Sequence, residues 1–211
     1  QWIPVSSPWG EPSDEILCGT IGHVRVRFLP RHGRGHRLAP STINARANID
    51  ALKRAGCTDI LAISAVGSLS EDLAPGRFVA VDQFIDNTKG RPSSFFGDGF
   101  VTHVSMADPV CPRLSKLAAK SVAAAGGECA EGATYLAMEG PQFSSRAESR
   151  LYRHCQCAAR FARVRGALLR RSGHFEAEST LSALTELVHA GDLHAVEAGR
   201  QRNRQGVFPD V

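Results

Sequence analysis

The chain has 211 residues, is 43% hydrophobic and 22% charged, and carries a formal net charge of +4. That is enough for one sizeable domain, or one domain and a short appendage, and the composition is that expected of a soluble globular protein. No run of roughly eighteen apolar residues offers a membrane span, no charged stretch followed by an apolar core forms a secretory leader, and the modest charge demands no nucleic-acid partner.

In chain order, Ile16 to Thr20 and Val24 to Leu29 predict two strands joined by the tight turn Ile21-Gly22-His23. A short basic loop follows, Pro30-Arg31-His32-Gly33-Arg34-Gly35-His36. Arginine offers a fixed fork of donors and glycine lets backbone approach a ligand, so the loop suits an oxyanion; a solvated basic turn is the plain alternative. Pro40-Ser41 predicts the start of a helix whose buried side carries Ile43, Ala47, Leu52 and Ala55, ending at Gly56. The apolar run from Asp59 to Val66 predicts a central parallel strand covered on both faces, leading into Gly67-Ser68.

Phe78 to Ile85 predicts another strand after the Pro75-Gly76 turn. Asn87 to Asp108, rich in glycine, proline and aromatics, predicts a long functional loop. Pro112 to Ala125 predicts a helix ending at Gly126-Gly127. Ala133 to Met138 predicts a strand, and Ser144 or Ser145 caps a helix through Arg146 to Tyr152. The alternation defines an α/β class with a mixed, mainly parallel central sheet flanked by helices. In such sheets ligands gather beyond the carboxyl ends of strands, and four loops are expected there: Arg31 to His36, Ser64 to Ser68, Asp86 to Arg91, and Glu139 to Ser145.

The cysteines Cys18, Cys57, Cys111 and Cys129 are scattered singly among apolar residues, as free thiols of a cytoplasmic protein are. Cys155-Gln156-Cys157 lacks the spacing of a zinc knuckle, so no metal is expected. Beyond His154 the chain has no lysine and gathers eight arginines, among them Arg160, Arg163 and Arg165. Phe161, Val164 and Leu168 fall on one side of a basic helix, and Leu181, Leu184, Leu187 and Val188 on another capped by Ser179. Little aromatic interleaving and no recognition motif make nucleic acid an unlikely partner.

Four segments carry a family resemblance. Arg31 to His36 resembles the phosphate loop of the methylthioadenosine phosphorylases, within the purine nucleoside phosphorylase superfamily. Ser64-Ala65-Val66-Gly67-Ser68-Leu69 and Asp82-Gln83-Phe84-Ile85-Asp86, the latter with Arg91-Pro92, match in order and approximate spacing. Met138-Glu139-Gly140-Pro141-Gln142-Phe143-Ser144-Ser145-Arg146-Ala147-Glu148-Ser149 is the most specific of the four. The resemblance covers about residues 8 to 153.

It implies phosphorolysis of the N-glycosidic bond of 5'-methylthioadenosine to adenine and 5-methylthioribose 1-phosphate. Inorganic phosphate is a co-substrate, and no metal or organic cofactor is implied. Arg31 and His32 match the family's phosphate ligands, and Ser64 and Ala65 its second phosphate segment, where threonine is commoner than Ser64. Phe143 matches an aromatic that lies along the nucleoside. Ser144 stands where phosphorylases of 6-oxopurine nucleosides usually have glutamate, which fits the methylthio branch. His103 resembles the histidine that reaches a neighbouring subunit's site in trimeric members, so a homotrimer is implied. Methylthioinosine or general purine nucleoside phosphorolysis is the nearest alternative; an inactive remnant or a basic nucleic-acid-binding protein is the alternative of another class.

The family pattern is incomplete at both ends. The glycine-rich phosphate turn that precedes the Pro-Trp-Gly stretch has no counterpart, and the chain begins at Gln1. After Arg153 the Gly-Met-Thr segment and the Asp-x-Asp strand end that binds the purine are absent; Asp192 and Asp210 stand isolated. The expected organisation is therefore a truncated nucleoside phosphorylase domain over 1–153 and an unmatched Arg/Ala-rich tail over 154–211, read as the product of a shifted reading frame or of a chimeric gene. Sequencing the encoding DNA checks this: a neighbouring frame should restore the Gly-Met-Thr and Asp-x-Asp segments, and its failure to do so refutes the shift.

Overall fold

The computed structural model describes residues 1–154 and the backbone of 160–164. Three short strands, β1 (Trp2–Ile3), β2 (Ile16–Ile21) and β3 (Val24–Phe28), form an antiparallel sheet in that order. The β2–β3 hairpin pairs Ile21 with Val24 across Gly22, which takes a left-handed φ of 56°. A second sheet has the order β4 (Val66–Ser68), β7 (Arg160–Val164), β6 (Cys129–Met138), β5 (Phe78–Asn87). Its β5–β6 and β6–β7 pairs are parallel and its β4–β7 pair antiparallel. The predicted mixed, mainly parallel sheet is present.

Helix α2 (Pro112–Ala124) covers β5 and β6 and reaches the hairpin, where Val24 packs on Leu117 with Ile21, Val26 and Ala118 around them. The Ser115 hydroxyl donates to the Val81 carbonyl at 2.9 Å, fastening α2 to β5. The β5–β6 ladder carries two compensating irregularities: Gly132, at φ 74°, is passed over on β6, and Asp82 is passed over on β5. An extra residue on each strand in turn restores the register. The ladder therefore runs on to Asn87 opposite Met138.

Helix α1 (Ala45–Arg54) begins later than the sequence predicts. Pro40–Thr42 forms a separate 3-10 turn, and Asn44 caps α1 by accepting from the Ala47 N–H at 3.1 Å. Ala47, Asn48 and Ala51 form its buried side, so a polar residue replaces part of the expected apolar stripe. The Asn48 amide explains this. Its Oδ1 accepts from the Ser13 N–H at 2.7 Å and its Nδ2 donates to the Ser13 hydroxyl at 2.9 Å, satisfying a buried pair on both sides.

Two expectations are corrected. The run from Asp59 to Val66 is not a covered central strand: only Val66–Ser68 is strand, its pairing is antiparallel, and Leu61 and Ile63 are exposed. An apolar run becomes a central strand only where neighbours bond it and cover it, and among the described residues none is laid along 60–65. The helix expected through Phe161 and Val164 is also absent, because 160–164 is β7, between β4 and β6. Pairing with a waiting sheet outweighs local helical spacing. Leu168 and the helix expected near Leu181 to Val188, like Cys155 and Cys157, lie outside the described residues. The four other cysteines are free thiols.

The Asn48–Ser13 exchange should anchor the N-terminal segment to α1. Asn48→Ala is expected to cost about 1–3 kcal/mol, the usual penalty for stranding a buried donor, measured by urea unfolding.

Candidate functional site

The parallel strands set one edge of the larger sheet. Asp86 pairs with Ala137 and Asn87 with Met138, so the chains leaving β5 and β6 depart side by side. On the other side Val66 pairs with Val164 and Leu136 with Arg163, which puts Val66 at about the level of Ala137. Because β4 runs antiparallel, its beginning faces the edge where β5, β6 and β7 end. Ser64 and Ala65 therefore reach the expected edge, but they precede a strand instead of following one. The loops at 86–91 and 139–145 lie at that edge as expected.

The loop at 31–36 departs from expectation in its sheet: it follows β3, in the smaller antiparallel sheet. Backbone bonds from Gly33 N to Pro30 O (2.7 Å), His36 N to Gly33 O (3.0 Å) and Leu38 N to His32 O (3.0 Å) coil it tightly. Gly33 is buried at φ 71°, and a Cβ there would meet Arg37 Nε at 2.9 Å and the Ser13 carbonyl at 3.2 Å. The Arg37 guanidinium donates to that same carbonyl at 2.7 Å. Thus Ser13 joins the basic loop to α1.

The arginines of this loop do different work. Arg34 donates its backbone N–H to Asp14 at 2.6 Å, its Nε to Asp14 at 3.0 Å and its Nη2 to Glu15 at 3.0 Å. Its guanidinium also lies 4.3 Å from the Trp2 ring centroid, a cation–π distance. Arg34 is a structural cross-link. Arg31, the predicted phosphate ligand, is half-buried at the point where the chain leaves β3. His32 lies 2.9 Å by its Nδ1 from the Leu38 carbonyl, which can only accept, so Nδ1 carries a proton. The His32 ring stacks on His36 at 4.1 Å, and His36 adopts a φ of 55°, rare for a side chain bearing a Cβ.

A cavity of about 250 Å³ opens where the start of α1 faces the β5 loop. Ser41 to Arg46, Asp86, Thr88, Arg91, Pro92, Ser93 and Ala137 line it. Arg31, His32, Ser64, Ala65, Phe143 and Ser144 do not. Asn44 and Arg46 fix this wall: Asn44 Nδ2 donates to Trp9 O at 2.8 Å, and the Arg46 guanidinium lies 4.8 Å from the Trp9 ring centroid. Trp9 in turn meets Phe95 edge-on at 5.3 Å between centroids.

Glu139 joins the two loops at the sheet edge. It accepts from Arg91 Nε at 2.8 Å and from the Lys89 N–H, while Arg91 Nη2 donates to the Glu139 carbonyl at 2.7 Å. Arg91 and the Lys89 amide hold the Glu139 carboxyl below its ordinary range. Four residues on, Phe143 is 42% exposed. The Ser144 hydroxyl lies 2.6 Å from that of Ser149, whereas Ser145 forms a reciprocal cap with Glu148 at the start of α3 (Arg146–His154). Ser145, not Ser144, caps the helix. His103 is exposed in the long segment between β5 and α2, away from regular structure as predicted.

Sequence reading quoted Arg91 and Glu139 as motif residues without giving them a task, and it missed Asp14 and Asn44. The signal for the first pair was their separate positions just after adjacent strands. Among the described residues no group of three or more His, Cys, Asp or Glu side chains is placed to hold a metal, and no helix is long and apolar enough to cross a membrane.

A mixed sheet with helices beside it, whose parallel strands end in loops bearing serine, arginine and glutamate, defines an α/β protein of the class whose ligand sites lie at the sheet edge. The chain belongs to the phosphorylase superfamily, whose family model matches residues 3–159. It is 58% identical over 156 residues to the S-methyl-5'-thioadenosine phosphorylase of Cereibacter sphaeroides, covering 74% of this chain and 54% of that protein. To the protein of the same name from Rhodospirillum rubrum it is 59% identical over 157 residues, covering 74% and 53%. The chain thus spans about half the length of these relatives. Among solved structures it resembles a methylthioadenosine phosphorylase from an antarctic soil metagenomic library (TM-score 0.73, 39% identity, 91% of this chain, 76% of that one). It also resembles that of Schistosoma mansoni in complex with tubercidin (TM-score 0.75, 30% identity, 90% and 84%).

The Arg34 amide and guanidinium hold the Asp14 carboxyl, whose side chain is only 6% exposed, down at about 2. A carboxyl lowered on folding stabilises the native state above its unfolded pKa and loses that contribution as pH falls toward its folded one. Stability should therefore drop between about pH 4 and 2. Asp14→Asn should be less stable at neutral pH and flatten this part of the profile, read from urea midpoints at each pH.

Proposed function

We propose that this chain belongs to an enzyme that cleaves the N-glycosidic bond of S-methyl-5'-thioadenosine with inorganic phosphate. The products are adenine and 5-methylthioribose 1-phosphate. The observation that carries this reading is the coincidence of residue type and place: the segments around Ser64, Asp86 and Glu139, matched to the methylthioadenosine branch, share one sheet edge. The names of relatives at 58% and 59% identity support the same substrate.

In the proposed reaction a phosphate oxygen bonds to the anomeric carbon as the bond from that carbon to the purine nitrogen breaks. The electron pair leaves with the purine, which takes up a proton. Charge separates on the way: the sugar becomes cationic and the purine anionic. Catalysis of this kind rests on holding the phosphate and sugar in line. Arg31 would supply a permanent cation and paired donors to the phosphate, and His32 a ring fixed through its Nδ1–H. Ser64 adds a hydroxyl and Ala65 a backbone N–H. Phe143 would lie along the nucleoside, and the small Ser144 leaves room for an amino purine where a glutamate would hydrogen-bond a 6-oxo purine.

We also propose that the working unit is a homotrimer in the cytoplasm. His103 would extend from the exposed segment between β5 and α2 toward a neighbouring subunit. That segment also exposes Phe96, Phe100, Val101, Val104 and Met106, side chains that a subunit contact would cover.

Release of adenine from S-methyl-5'-thioadenosine, followed with and without phosphate, tests the reaction. This chain should be compared with a version joined both to the glycine-rich phosphate turn and to the Gly-Met-Thr and Asp-x-Asp segments. Adenine release that requires phosphate is expected from the joined version. Arg31→Ala should lower its kcat/KM for phosphate about a hundredfold. No release from the joined version, together with DNA binding that falls steeply with salt, would overturn the assignment.

A further inference from the structure

We infer that the Arg91–Glu139 pair is a positioning clamp that sets nucleoside affinity by fixing the segment bearing Phe143 and Ser144; this rests on the reading of the site just given. The segment 139–145 leaves β6 at Met138, directly beside the point where β5 gives way to 88–93. Its far end is held by α3, through the Ser145–Glu148 cap and through Asn87 Nδ2, which donates to the Tyr152 hydroxyl at 3.0 Å. Its near end is held to the β5 loop by the bonds that Arg91 and the Lys89 N–H make to Glu139 and Met138.

The clamp is built for orientation. The Glu139 carboxylate spans two donors, the Arg91 Nε and the Lys89 N–H, so it grips the neighbouring backbone as well as a side chain. Arg91 closes the figure by donating Nη2 to the Glu139 carbonyl at 2.7 Å and to the Met138 carbonyl at 3.4 Å. Carboxylate and backbone carbonyl of one residue are thus fixed by one planar guanidinium, which removes rotation about the junction. Both side chains are largely shielded, 16% exposed for Arg91 and 28% for Glu139, so water competes weakly. Only Gly140, Pro141 and Gln142 separate the clamp from Phe143. Arg91 also lines the cavity at the start of α1, so its guanidinium couples that wall to the nucleoside segment.

Neither residue needs to touch substrate for this. A lysine at 91 would keep the charge and lose the fork. The clamp therefore separates from simple charge pairing, and from a phosphate-binding role, by what it leaves unchanged.

The experiment compares the unaltered protein with Glu139→Ala, Arg91→Lys and the double exchange Arg91→Glu with Glu139→Arg. Amide hydrogen exchange over 140–145 reads the position of the segment whether or not the protein turns over. Calorimetry reads affinity for S-methyl-5'-thioadenosine and, separately, for inorganic phosphate. Both single variants should speed exchange over 140–145, leave exchange in the β2–β3 hairpin unchanged and weaken nucleoside binding about tenfold or more, with phosphate affinity held within twofold. The double exchange should recover part of the nucleoside affinity. Unchanged exchange over 140–145, or equal loss of phosphate and nucleoside affinity, overturns the clamp. Absence of any nucleoside binding by the unaltered protein instead overturns the proposed function, and the exchange arm then judges the clamp by itself.

Discussion

The parallel ladder between β5 and β6 brings Asn87 level with Met138, and the placement of the candidate site depends on that register. Two loops that are about fifty residues apart in sequence leave the sheet as neighbours. Side chains just past the strand ends, Arg91 and Glu139, then fall within hydrogen-bonding reach with no further device. A single net slip would turn the side chains of one strand to the opposite face and separate the pair. The paired irregularities at Asp82 and Gly132 matter for the same reason: either alone would leave the ladder one residue out, and together they cancel.

Charge is used to fasten loops at two places. At the sheet edge, Glu139 fixes the chain around Arg91. On the smaller sheet, Asp14 and Glu15 fix the chain around Arg34. In both, a carboxylate takes a backbone N–H as well as a guanidinium, which orders the main chain more strongly than a side-chain pair would. Surface ion pairs usually contribute about 0–1 kcal/mol, so their value here lies in the conformation they select.

Much of this fold was legible. The hairpin showed in the alternation of Val24, Val26 and Phe28 around a glycine turn; α2 showed between Pro112 and Gly126; β5 and β6 showed in their apolar runs and turn residues. What escaped depended on partners far along the chain. The run at 59–65 reads as a core strand by composition, but burial requires neighbours that composition does not name. Asn48 occupies a buried helical position because Ser13, thirty-five residues away, supplies both complementary groups. Arg34 and Arg37 are alike in sequence and differ in which acceptor the fold presents to each.

The same logic bears on β7. Arginine-rich sequence with apolar residues at helical spacing reads locally as a helix, yet 160–164 lies in the ladder between β4 and β6. An exposed strand edge is a row of unpaired donors and acceptors, and it recruits backbone with little regard to side chain. That recruitment brings β4 into the larger sheet, because β4 pairs only with β7 among the described strands. Through it Ser64 and Ala65 share an edge with Glu139. The strand that sequence reads least well is therefore the one that joins the two halves of the candidate site, and it does so through main-chain bonds that any residue except proline can make.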